Sequence, residues 1–138
     1  VKKRQPTKIE PFPFVHNKSH IYNSLVDGGY GQVNCGWKKF TFELHSNLIH
    51  DSIKVDGLTE FDTNLIKLEM SLSNEEAKET ILHEIMHCVL EGIGLDERNF
   101  GGVQIGTTNE FLVTSISRHM VLLDILNPGL FSLIFSKK

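Results

Sequence analysis

Residues 73–92 read Ser73-Asn74-Glu75-Glu76-Ala77-Lys78-Glu79-Thr80-Ile81-Leu82-His83-Glu84-Ile85-Met86-His87-Cys88-Val89-Leu90-Glu91-Gly92. Ser73 and Glu76 have the spacing of a capping box, in which each side chain satisfies a free backbone N–H at the start of a helix. Ala77, Ile81, Ile85, Cys88 and Val89 recur at intervals of three and four, a helix-long apolar stripe. The pattern predicts a helix from Asn74 to about Glu91, stopped by Gly92. Inside it stands His83-Glu84-Ile85-Met86-His87, an H-E-x-x-H motif.

The flanking sequence changes period. Phe40, Phe42 and Leu44 alternate with Lys39, Thr41, Glu43 and His45, which predicts a half-buried strand. Ile53 and Val55 begin a second, short strand ended by the turn dipeptide Asp56-Gly57. Ile66, Leu68, Met70 and Leu72 alternate cleanly as a third. After Gly92 comes a glycine-rich loop, then a second helix from about Thr108 to Leu126. Its core-facing candidates are Phe111, Val113, Ile116, Met120, Leu123 and Leu126. Asn127-Pro128-Gly129 breaks that helix, and a last turn follows from Leu130 to Phe135. Before the strands, Pro6, Pro11 and Pro13 mark residues 1–20 as an extended arm, and residues 27–36 form a glycine-rich connection. The expected organisation is an N-terminal arm (1–20) and one α+β domain (21–138). A small mixed or antiparallel sheet there packs on the H-E-x-x-H helix and a second long helix.

Composition narrows the function classes. The chain has 138 residues, 14 Lys+Arg against 17 Asp+Glu, and a net charge of −3. That balance offers no global attraction to nucleic acid or anionic membrane. The longest apolar run, from Met120 to Leu123, is far short of a membrane span, and Ile9-Glu10-Pro11-Phe12-Pro13 makes no signal-peptide segment. The two cysteines, Cys35 and Cys88, cannot form a disulfide scaffold, which fits a reducing cytoplasmic setting. Both read best as inert buried residues. Seven histidines is a high count for this length.

The H-E-x-x-H spacing has a mechanical reason. Residues four apart on a helix project about 40° apart, so the His83 and His87 imidazoles can converge on one cation. Zinc takes such nitrogen ligands and, in catalytic sites, leaves one position for water. Glu84, between them, is placed to act as a general base rather than a ligand. A shuffled chain of this composition yields the motif about 0.02 times, so chance is set aside. The third protein ligand must come from elsewhere. Ile93 occupies the position where a metzincin has its third histidine. Asp96 and Glu97 are candidates, and Glu110, opening the second helix, is preferred because it would complete a His₂Glu zinc set. Thr107-Thr108-Asn109-Glu110 is also a capping box, so Glu110 has a competing, helix-closing role. His119 lies about half a turn from Glu110 in projection and does not share its face.

Residues 57–135 resemble the small gluzincin-type metallopeptidases related to the ImmA/IrrE-like group, especially compact phage and prophage versions. The matching stretches are Gly57-Leu58-Thr59-Glu60-Phe61-Asp62, Leu65-Ile66-Lys67-Leu68 and Glu79 through His87. Asn109-Glu110-Phe111-Leu112-Val113 and Asn127-Pro128-Gly129-Leu130-Phe131 follow. The resemblance implies a zincin-like fold, zinc held by His83, His87 and Glu110, and Glu84 as catalytic base. It also implies a protein or peptide substrate in the cytoplasm, that of a host cell if the chain is phage-encoded. By analogy, the stretch Leu65–Leu72, or the strand near Ile53, would line a substrate cleft by strand addition. Thr114 stands where many gluzincins have an aspartate that orients a zinc histidine. Tyr30, His45, His50 and His119 are candidate oxyanion donors. That departure, together with the unmatched first 56 residues, motivates a second expectation: a zinc-binding, non-proteolytic inhibitor or regulator on the same scaffold. His16 and His20 are expected in a solvated arm that Phe12, Phe14 and Tyr22 could pack onto the domain.

Overall fold

The computed structural model describes residues 8–10, 20–27, 29–94 and 109–136, with side chains described at 20–25, 29–94 and 115–136. Strand β3 (Lys39–Ser46) is the spine of a five-stranded sheet. Two short strands, β1 (Lys8–Glu10) and β2 (Gln32–Asn34), pair antiparallel with its two ends, and β7 (Leu65–Glu69) pairs parallel along its other edge. β6 (Gly57–Glu60) closes the order, antiparallel to β7. A separate hairpin joins β4 (Ile49–His50) to β5 (Ile53–Lys54). Its two-residue loop puts Asp51 at φ 49° and Ser52 at φ 69°, the twin positive angles of a tight hairpin turn. The sheet is therefore mixed.

Alternation along β3 and β7 assigns the faces. Phe40, Phe42, Leu44, Ile66 and Leu68 are buried together with Ala77, Ile81, Ile85, Cys88 and Val89 of α2 (Asn74–Gly92). The expected stripe of α2 is thus its core face, and both bonds of the Ser73–Glu76 capping box form. Among the described residues there are three further helices: α1 (Ile21–Asp27), α3 (Asn109–Leu126) and α4 (Leu130–Ile134). No described helix is long and apolar enough to cross a membrane.

Several expectations are corrected. The short strand at Ile53 ends before Asp56-Gly57 as expected, but Gly57 opens a further strand, paired from Gly57 to Glu60 as β6. The glycine-rich connection contains β2, and the arm contributes β1. His20 is not solvated. It is buried at the head of α1, and its Nε2 meets the Leu72 carbonyl at 3.0 Å. Tyr22 is fully buried and donates to the Glu69 carbonyl. Phe12, Phe14 and His16 lie outside the described residues. Helix α2 runs through Gly92, and the left-handed stop is Gly94 at φ +76°. Gly92 instead clears room for Trp37, whose indole N–H donates to the Cys88 carbonyl at 3.0 Å. Leu126 is partly exposed and Asn127 takes the buried place beside Leu123. The Asn127 side chain accepts from the Asn34 N–H (2.9 Å) and donates to the Asn34 carbonyl (2.7 Å), tying the end of α3 to β2.

Candidate metal centre

Helix α2 presents two neighbouring faces at the site. Ile81, Glu84, Ile85 and Cys88 turn inward, while His83 is exposed and His87 half-buried on the outward side. Their Nε2 atoms stand 3.2 Å apart, with the rings at 73°. Two nitrogens bound at about 2.05 Å to one tetrahedral ion are separated by about 3.3 Å. The imidazole pair therefore already has the spacing of two ligands of one cation. With the Glu84 carboxylate, their ligand atoms all lie within 4.8 Å of one another. Two imidazoles and a carboxylate are a donor set that fits zinc.

Glu84 is only 5% exposed. A carboxylate that deep needs a donor, and Thr59 on β6 supplies it, with Oγ1 2.6 Å from Oε2. Gly57 makes this approach feasible. A Cβ there would sit 2.7 Å from Thr80 Cγ2 and 2.9 Å from Glu84 Cγ, so any side chain would push β6 off the helix. The strand also has a free edge. The Glu69 N–H donates to the Asp56 carbonyl at 2.8 Å, and alternation then sends the main-chain groups of Gly57 and Thr59 away from β7. No described strand pairs on that side. Between this edge and α2 opens a cavity of about 420 Å3 lined by Asp56, Gly57, Glu76, Glu79, Thr80, His83 and Glu84. On the far side of the histidines, Leu82, Met86 and Leu90 floor a second, apolar hollow of about 350 Å3.

Cys88 follows His87 but faces the core, fully buried. Contact with the Cys35 thiol, burial and the nearby Glu84 carboxylate push its own thiol well up. It is held as a neutral thiol, not a ligand. Cys35 is likewise buried.

Glu110 lies on the first turn of α3, while its side chain, with those of Phe111, Val113 and Thr114, lies outside the described residues. Asp96 and Glu97 are outside them as well. His119 is turned onto the Ser115 carbonyl of its own helix at 2.7 Å. Tyr30 donates to the Pro128 carbonyl, and His50 pairs with Asp51 at the exposed hairpin. By alternation along β3, His45 faces away from α2, where it meets Glu43 at 3.2 Å. Each of these four meets a partner other than the histidine pair. The cleft-lining expectation also changes: β7 is paired on both sides, and β5 belongs to the separate hairpin, so the open edge at the site is that of β6.

The sequence places Gly57 and Thr59 in the stretch that carries the resemblance but does not show their part in the site: Asp56-Gly57 reads as a turn, and a four-residue strand carries too little alternation to show itself. Compared with protein families, curated proteins and solved structures, the chain matches none.

Proposed function

We propose that this chain is a zinc-dependent metalloendopeptidase on a zincin-like scaffold, similar to the small gluzincin group. The observation that carries this reading is the pairing of the His83 and His87 Nε2 atoms at 3.2 Å, beside the buried Glu84 carboxylate and an open strand edge. His83 and His87 would hold the ion, with Glu110 as the third protein ligand. A zinc ion bound there supplies Lewis-acid polarisation of a carbonyl and acidifies a water molecule.

The chain's own residues do the rest. Glu84 takes a proton from the attacking water and returns it to the leaving nitrogen. Thr59 holds one carboxylate oxygen of Glu84, leaving the other for that transfer. The outward main-chain groups of Gly57 and Thr59 accept an extended peptide as an added strand, which lays its backbone along α2.

The test couples zinc content with cleavage of a quenched-fluorescence casein substrate. The wild type should carry one zinc and cleave. Glu84→Gln should keep the zinc and lose at least about a hundredfold in rate, the usual share of a general base. Equal cleavage by the two proteins would sink the assignment. Zinc retained with no cleavage by either, and full biological effect in both, would favour the binding-protein reading.

A further inference from the structure

Away from the metal centre, helix α3 leaves one face without a described neighbour. Ser117, Arg118, Val121, Asp124 and Ile125 are all exposed. In helical projection they fall within about 60° on either side of Val121. Val121 is 61% and Ile125 65% exposed. Leu122, 39% exposed, extends the apolar surface sideways onto the β2–β3 turn, where its Cδ2 lies 3.0 Å from a Cβ built on Gly36. Several adjacent exposed aliphatic residues on one helix face are more than the scattered apolar positions of an ordinary surface.

The charges on this face identify its occupant. Arg118 lies three residues before Val121 and Asp124 three residues after it. Among the described residues neither has an ion-pair partner. If two copies of α3 pair antiparallel about a two-fold axis through Val121, Arg118 comes opposite the partner's Asp124, and the reverse pair forms by symmetry. Ser117 and Ile125 lie four residues either side of Val121, so each small residue comes opposite a large one. An isologous contact needs a patch complementary to itself, and this one is complementary in both charge and size. A partner of uniform charge would leave one end of the face opposed by a like charge.

We propose that the outward face of α3 is a homodimer contact, formed by antiparallel pairing of the helix about Val121. With few apolar residues per copy, the contact falls short of a standard interface of about 1,600 Å2. The dimer is therefore weak and in exchange, with a dissociation constant of roughly 10–500 µM.

Sedimentation equilibrium over a concentration series to about 1 mM, with the whole chain, reads this directly. The wild type should approach twice the monomer mass. Arg118→Asp or Asp124→Arg alone should each weaken association by about tenfold or more, because each sets like charges together twice. The double reversal should return it to near the wild-type value. Val121→Asp should leave only monomer. All these positions are exposed, and an unchanged circular-dichroism melt checks that each variant is folded. A wild type that stays monomeric throughout overturns the proposal. So does association that survives Val121→Asp, or a double reversal that restores nothing.

Discussion

At Gly57 the absence of a side chain carries the design of the site. A methyl group there would overlap Thr80 and Glu84, and β6 would have to lift from α2. Gly57→Ala should therefore destabilise the protein by about 1–3 kcal/mol and weaken zinc binding, read by denaturant melts and zinc titration. Full stability and zinc affinity in that variant would mean that β6 is not pressed on the helix. Glu69 plays a structural part on the other side of the sheet. Burial pushes its carboxyl up, but the Leu48 and Ser71 N–H groups, the Ser71 hydroxyl and Lys54 outweigh that and leave it below the ordinary value of 4.5. A group depressed in the folded state stabilises above its unfolded pKa, and that contribution is lost as pH falls through the folded value. Melting temperatures should therefore drop steeply below about pH 4.5. Glu69→Gln should melt lower at pH 7 and show a shallower acid drop. Parallel acid profiles for the two proteins would remove Glu69 from the account.

Among the elements, α2 was legible in detail, and β3, β7 and α3 in outline, while the shortest strands were not. The capping box and apolar stripe of α2 are local, with each partner within four residues, so the spacing alone predicts them. Its end falls within one residue of the expected place, but Gly92 is a glycine for a different reason: Trp37, 55 positions earlier, lies where a Cβ would be. Strand β7 was readable from its alternation, whereas β1, β2 and β6 are three or four residues long and exist through their pairing with β3 and β7. The junction of α3 with β2 depends on one side chain. Asn127→Ala would remove both bonds to Asn34 and one to Leu123, stranding backbone groups in a partly buried place. A loss of about 2–4 kcal/mol is expected, measured by urea unfolding. A change under about 0.5 kcal/mol would show that water replaces the bonds.

For the whole molecule, a cation bridging His83 and His87 would bind the folded chain and have little hold on the unfolded one. Zinc at a hundred times its dissociation constant should add about 2.7 kcal/mol. In a thermal-shift assay the melt should rise with zinc and fall back with a chelator, and His83→Ala or His87→Ala should abolish the response. An equal rise in both variants would place the binding elsewhere.

The amino-acid sequence by itself determined the helix that carries the histidines, the phase that puts both on one face, and the α+β class, because those depend on contacts within a turn or a strand. Only the tertiary structure decided that β6, rather than β7, presents the open edge. It likewise decided that Thr59 holds Glu84 and that Tyr30 meets Pro128. Each of those is a meeting of segments tens of residues apart, and periodicity says which way a side chain points on its own element, not what stands opposite it.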